Sequence, residues 1–258
     1  MKKWSYYNDN DPFVCEWARN LIKAGLVPDG EVDCRSISEV RADDLDGFLQ
    51  CHFFCGILGW PLAFSLAGWS EPAWSGSCPC QPLSSAGRQK GHSDDRHLWP
   101  AFYELIRQCR PAIVFGEQVA SKLGREWFAG VRADLEDLAY ACGAADLCIA
   151  GVGAPHIRQR LYWVADSDQA RWRDFAARSP GPECNRVRAV DLASRAGAWV
   201  GAGEPRRFED GSYRRSGPGL DILVDGFPGR MDAVGAIGNA IGPPLAAEFI
   251  KAMMEVSP

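Results

Sequence analysis

The chain has 258 residues, room for one large domain or one domain with a small insert. Hydrophobic residues make up 47% and charged residues 24%, ordinary for a globular protein in water, and no run of about 18 apolar residues exists to cross a membrane. The N-terminus, Met1-Lys2-Lys3-Trp4-Ser5-Tyr6-Tyr7, lacks the apolar core of a signal peptide. The ten cysteines are scattered without Cys-x-x-Cys pairs, which argues against a disulfide frame or zinc site and for free thiols in a reducing cytoplasm. The net charge of −5 does not advertise a nucleic-acid binder, but it is unevenly spread. Residues 156–230 hold 13 Arg and no Lys against 10 acids, a balance of +3, while the remainder carries −8. A local basic face of this kind suits phosphate contact, although a solvated surface would read the same.

In chain order, Trp4-Ser5-Tyr6-Tyr7-Asn8 is strand-like and ends in the acidic turn Asp9-Asn10-Asp11-Pro12. Phe13, Trp17 and Leu21 are spaced four apart, which predicts a helix over residues 13–24. Gly30-Glu31-Val32-Asp33 begins a second short strand ahead of Ile37 and Val40. Residues 51–60 read as a buried strand running into a glycine turn, and residues 61–69 as a short helix. Strand, glycine turn and helix form the usual cradle for a nucleotide-like cofactor. The apolar stretch Pro72-Ala73-Trp74 leads to Gly76-Ser77-Cys78-Pro79-Cys80-Gln81-Pro82 and then Ser84-Ser85-Ala86-Gly87, a loop able to present a thiol at a strand end. Cys78 reads as a small buried hydrophobe, while the Pro-Cys-Gln context makes Cys80 the candidate nucleophile. Helices are predicted near 99–109 and 125–140, and strands at 111–115, about 144–150 and 161–165. The pattern Ile113-Val114-Phe115-Gly116-Glu117-Gln118-Val119 delivers an acid to a strand end. A thiol and a carboxyl on neighbouring strand tips can add to one face of an aromatic ring and protonate it. Residues 166–225 lose periodicity and gain Gly, Pro, Ser and Arg, and a last helix is predicted over about 242–255, where Pro243-Pro244 suits a first turn.

Four segments, in this order, resemble signatures of the DNA cytosine 5-methyltransferases: the Pro79-Cys80-Gln81 loop, the Glu117-Gln118-Val119 strand end, Gly153-Ala154-Pro155-His156-Ile157-Arg158-Gln159-Arg160 and Gly238-Asn239-Ala240-Ile241-Gly242-Pro243-Pro244. The resemblance covers most of the chain after position 50. It implies an α/β fold with a doubly wound, mostly parallel Rossmann-like methyltransferase sheet, S-adenosyl-L-methionine at the strand carboxyl ends, and a small Arg-rich recognition insert facing it. The family places two further strands between the glycine turn and the catalytic cysteine, with acids for the ribose and the adenine of the cofactor. Here only about 20 residues separate Gly59 from Cys80, enough for one helix and one strand. The N-terminal segment resembles the missing pieces, which implies a circularly permuted chain of phage or bacterial type; an unrelated helical extension is the other reading. On the permuted reading Asp9, with Asn10 beside it, is the ribose acid and Asp33 the adenine contact. Phe54, Gly56, Gly59 and Asn239 complete the expected cofactor site. The expected division is a catalytic and cofactor-binding domain over 1–165, a target-recognition region over 166–225 and a closing segment over 226–258.

The resemblance also assigns the chemistry. Cys80 adds to carbon 6 of cytosine, Glu117 holds and protonates ring nitrogen 3, and Arg158 and Arg160 position the base and polarise its carbonyl, with Arg160 nearer the ring. Carbon 5 then takes the methyl group. Protonation by Glu117 requires a raised pKa or a strong hydrogen bond to the base. A target atom hidden in a duplex must be flipped out, and Pro79, Gln81, Ser84, Ser85, Arg88 and Gln118 are the expected substrate contacts. Three departures stand out: Leu58 where the family's glycine turn prefers glycine, Gln118 for asparagine, and His156 for glutamine. A branched side chain at Leu58 is expected to crowd the cofactor or change the backbone. The leading reading is a cytoplasmic, monomeric enzyme acting on double-stranded DNA with no membrane or metal partner. Its rivals are the same chemistry on RNA and a catalytically weak DNA-binding or decoy protein.

Overall fold

The computed structural model describes residues 3–79, 98–154, 156–169, 205–207, 213–215 and 240–256. Its centre is a seven-stranded sheet: β1 (Lys3–Asn8), β2 (Gly30–Asp33), β3 (Phe48–Phe53), β4 (Ala73–Gly76), β5 (Ile113–Val119), β6 (Ala141–Cys148) and β7 (Gln159–Asp166). Their spatial order is β2-β1-β3-β4-β5-β7-β6. Neighbours from β2 to β5 are parallel, and β7 runs against both β5 and β6. Six strands therefore share one direction and β7 opposes them, which bears out the mostly parallel α/β fold.

Among the described residues five helices cover the sheet: α1 (Pro12–Lys23), α2 (Gly59–Ala67), α3 (Trp99–Cys109), α4 (Lys122–Asp137) and α5 (Pro243–Val256). The period of two along each strand assigns alternate side chains to the two faces. Val114, Leu161, Trp163 and Ala165 face α3 and α4, where Trp99, Phe102, Trp127 and Phe128 form an aromatic layer. Phe115, Tyr162 and Val164 face α2 and α5, against Trp60, Phe64, Leu245 and Ile250. Asp11 caps α1 by accepting from the backbone of Phe13 and Val14, with Pro12 filling the first turn, where its missing N–H costs nothing.

Two strand boundaries differ from expectation. β5 runs on to Val119 because β7 pairs with it along its full length. β6 starts at Ala141, although Ala-Cys-Gly-Ala-Ala-Asp has weak strand character; its ladder with β7 overrides local propensity. A separate two-stranded ladder pairs Pro205–Arg207 (β8) with Tyr213–Arg215 (β9), inside the stretch expected to recognise the target.

The connections from β1 to β2 and from β3 to β4 run outward in opposite directions, so the sheet order reverses between β1 and β3. In open α/β sheets the crevice at the carboxyl ends of such strands is where ligands bind.

Candidate active site

On β5, Phe115, Glu117 and Val119 share a face. The antiparallel register sets Tyr162 opposite Glu117 and Arg160 opposite Val119, so Arg160 reaches Glu117 diagonally. Arg160 Nε lies 2.8 Å from Glu117 Oε1. Glu117 is only 8% exposed. Burial pushes its carboxyl up to about 7, against the pull of Arg160 and Arg158. The side chain thus holds or releases a proton near neutrality, as the acid role requires. Its strand tip depends on Gly116: a Cβ there would meet the Trp163 indole at 2.1 Å.

The arginines have different tasks. Arg160 stands beside Glu117, while Arg158 donates from Nη2 to the Ala240 carbonyl at 2.7 Å and ties the segment before α5 to the start of β7. Arg158 is thereby a positioning group in this arrangement. Gln118 also departs from expectation. Strand alternation turns it to the face opposite Glu117, where it is buried and its Oε1 accepts from the Val119 N–H at 2.9 Å. It is not placed to touch a base held by Glu117.

β4 lies between β3 and β5, so residues 77–79, which follow it, leave the sheet next to the strand that carries Glu117. Ser77 Oγ accepts from Trp60 Nε1 at 3.0 Å, fixing the first of them to the start of α2. Cys78 is buried, and burial pushes its thiol far above the ordinary value, as expected for an inert core cysteine. Pro79 is exposed. Cys80, Gln81, Ser84, Ser85 and Arg88 lie outside the described residues.

The other half of the site forms at the reversal of sheet order. Asp9, just past β1, accepts from the Gly56 N–H at 3.0 Å and from the Asp11 N–H at 3.1 Å. Burial raises its pKa, partly offset by these backbone bonds. Gly56 has φ +51°, and a Cβ built on it meets no atom within 4 Å, so a side chain there would project into open space. A carboxylate pinned by the backbone of a glycine turn beside open space fits the hydroxyls of a ribose. Asn10 is exposed next to it, and Phe54 packs edge-on against Phe102. Gly59 opens α2 against Ile241, the neighbour of Ala240. Asn239 lies outside the described residues.

Of the two outcomes expected of Leu58, a crowded cofactor or a changed backbone, the structure shows the second. Leu58 adopts the left-handed conformation (φ 63°), a cost of roughly 1–2 kcal/mol. Its side chain is 1% exposed and packs with Tyr7, Ala18 and Cys55, beneath α1. The departure from glycine is absorbed by the backbone and a local core. Asp33 also has a different setting from the one expected of an adenine contact. Its oxygens take bonds from Tyr6 Oη and from the Arg35 guanidinium and backbone, and Arg35 reaches on to Asp44. Burial alone would raise the Asp33 pKa; these bonds overcome it and lower it.

Sequence reading missed three groups. Trp60 bonds Ser77, Arg35 occupies Asp33, and His52 is buried with Nδ1 2.8 Å from Ser75 Oγ, linking β3 to β4. Burial holds the His52 imidazole down at about 3, hence neutral. Only Arg35, two residues beyond the acid, carried a signal in the sequence.

Comparison with known proteins accords with this geometry. The sequence model of the family described as C-5 cytosine-specific DNA methylase matches residues 53–193, more than half of the chain. Type II methyltransferase M.AplI of Arthrospira platensis is 34% identical over 99 residues, 38% of this chain and 29% of the relative. Type II methyltransferase M.HhaI of Haemophilus parahaemolyticus is 29% identical over 106 residues, 40% of this chain and 32% of the relative. The match thus spans less than a third of either relative's length. Among solved structures, the Entamoeba histolytica methyltransferase EhMeth aligns with TM-score 0.43 and 18% identity, covering 63% of this chain and 44% of that one. A mutant of Spodoptera frugiperda DNMT2 gives 0.39 and 18%, covering 64% and 43%. On the extent of the family match, the chain belongs to the C-5 cytosine-specific DNA methylases.

Proposed function

We propose that this protein transfers a methyl group from S-adenosylmethionine to carbon 5 of cytosine in double-stranded DNA, through a covalent Cys80 adduct to a flipped base. S-adenosylmethionine is the methyl donor of the family and supplies an electrophilic methyl group when bound. The observation that carries the reading is Glu117, a buried carboxyl with a pKa of about 7 and a guanidinium at 2.8 Å, beside the strand that leads to Cys80. Attack by the Cys80 sulfur on carbon 6 pushes electron density into the ring; Glu117 protonates nitrogen 3 and Arg160 draws on the neighbouring carbonyl. Carbon 5 then takes the methyl group; loss of its proton to water expels the Cys80 sulfur, and return of the nitrogen 3 proton to Glu117 restores the ring. Asp9 and the Gly56 turn hold the ribose of the donor. Asp33, committed to Arg35 and Tyr6, would meet the adenine only if Arg35 swung away.

The chain order is read as circularly permuted. In support, the family match begins at residue 53, at the end of β3, while β1 and β2 precede it in sequence yet extend the same sheet beyond β3. Residues 166–225 are assigned to target recognition, closed by 226–258. Among the described residues no helix is long and apolar enough to cross a membrane. The decoy alternative loses its main support, since Leu58 turns away from the Gly56 crevice.

Nucleoside mass spectrometry on plasmid DNA and transfer RNA, incubated with the protein and S-adenosylmethionine, tests the reading. We expect 5-methylcytosine in the DNA only, and none with Cys80→Ala. Methylation confined to transfer RNA would move the substrate to RNA, and methylation surviving Cys80→Ala would overturn the covalent route.

A further inference from the structure

A cluster of thiols lies directly under Asp9, outside the proposed catalytic machinery. Cys15 and Arg19 are four apart on α1 and therefore share a face. The Cys15 thiol donates to the Asp9 carbonyl at 3.1 Å, and Arg19 Nη2 lies 3.2 Å from Cys34 Sγ. The Asp9 N–H in turn bonds the Asp33 carbonyl at 3.2 Å, which stitches the residue before Cys34 to the one that holds Cys15. Arg19, one turn along α1 from Cys15, thus reaches Cys34, and both cysteines flank the Asp9–Asp33 backbone bond. Cys15 is buried, Cys34 is exposed, and both are reduced. The arrangement pairs an accessible sulfur, beside a cation, with a shielded second thiol.

We infer that Cys34 and Cys15 form an oxidant-sensitive modification site whose disulfide weakens donor binding at Asp9. A hydroperoxide is the oxidant. The Cys34 sulfur attacks its terminal oxygen, the O–O bond breaks, and the products are a sulfenic acid and water or an alcohol. Arg19 is placed to balance negative charge on the attacking sulfur. The Cys15 sulfur then displaces the hydroxyl from Cys34, which leaves as water after taking the Cys15 proton, and the S–S bond forms. Two thiols lose two electrons and one peroxide gains them. Closure removes the S–H that bonds the Asp9 carbonyl and draws the Cys15 sulfur toward Cys34. Asp9 is the residue whose carboxylate holds the Gly56 turn, so the linkage reaches the donor crevice through one residue. The effect on donor binding rests on the function proposed above; the disulfide does not.

The test treats the full chain with hydrogen peroxide and maps it by tryptic mass spectrometry, since cleavage at Arg19 and Lys23 separates the two cysteines. We expect a cross-linked Cys15–Cys34 peptide lacking two hydrogens, reversed by dithiothreitol, and S-adenosylmethionine binding weakened several-fold by calorimetry until reduction. Cys34→Ser should bind the donor normally and keep that binding after peroxide, while Cys15→Ser should trap Cys34 as a sulfenic acid that dimedone labels. Failure to find the cross-link, or labelling of Cys34 no faster than of exposed thiols in the unfolded chain, overturns the site. A cross-link with unchanged donor affinity overturns the coupling. If the reduced protein does not bind S-adenosylmethionine while the cross-link forms, the proposed function fails and the thiol site stands.

Discussion

Glu117 and Asp33 both sit at or near strand carboxyl ends, and both lie against an arginine, yet they are held in opposite states. At Glu117 burial outweighs the guanidinium and the carboxyl rises to about 7. At Asp33 bonds from Arg35 and Tyr6 outweigh burial and the carboxyl falls below its ordinary value. An adjacent arginine therefore does not decide a carboxylate's state; the balance between lost water and aligned donors does. On the proposed mechanism the first acid is poised to move a proton, while the second is committed to Tyr6 and Arg35.

The largest expected effect comes from removing the poised acid. Glu117→Gln should lower the rate of methyl transfer by about 100- to 10,000-fold, measured under single-turnover conditions. Arg160→Ala should cost about 100-fold and move the alkaline limb of the pH profile upward, because Arg160 is one of the groups that pulls the Glu117 pKa down. If the limb moves down instead, the assignment of Arg160 as Glu117's partner is wrong.

The contrast between Asp9 and Asp33 is sharper than either alone. Asp9→Asn should weaken S-adenosylmethionine binding about tenfold by calorimetry, with little loss of stability. Asp33→Asn should lower stability by about 1–3 kcal/mol in urea melts, by unpairing Tyr6 and Arg35, with donor affinity within about twofold of the wild type. A large affinity loss at Asp33 would return it to the adenine role that the sequence suggested.

Leu58→Gly weighs two opposing terms. Relief of the left-handed backbone gains roughly 1–2 kcal/mol, while emptying the pocket under α1 costs about 2–5 kcal/mol. A net loss of stability with unchanged donor affinity is expected. A gain in affinity would show that Leu58 does crowd the donor.

A further effect is on stability against pH. Folded Glu117 holds its proton to about 7, whereas an unfolded glutamate releases it near the ordinary value of 4.5. Between these values the folded state binds the extra proton, so this residue's contribution to stability falls as pH rises. Urea melts of the wild type minus Glu117→Gln should show that slope and nothing above about pH 7.

The sheet was legible because its strands are short apolar runs and its helices carry clear four-residue spacing. The acid and its arginine were legible because Glu117 follows an uninterrupted apolar strand and Arg160 precedes another. What was not legible depends on register and side-chain direction. A strand's alternation puts Gln118 behind the sheet, but only the pairing of β5 with β7 shows which residue faces Arg160. Leu58 reads as an obstruction until the left-handed backbone aims it into the core beneath α1. Asp33 reads as a free acid until Tyr6, 27 residues earlier, is seen to bond it. The ends of β6 were misread because its alanine- and glycine-rich sequence forms a strand only through its ladder.

The most direct test of the central claim is the pH dependence of single-turnover methyl transfer to duplex DNA, for wild type and Glu117→Gln side by side. The account predicts 5-methylcytosine formation that falls as pH rises through about 7 in the wild type, and a much slower rate without that limb in the variant. The same alkaline limb in both proteins, or no methylated cytosine at any pH, would contradict it.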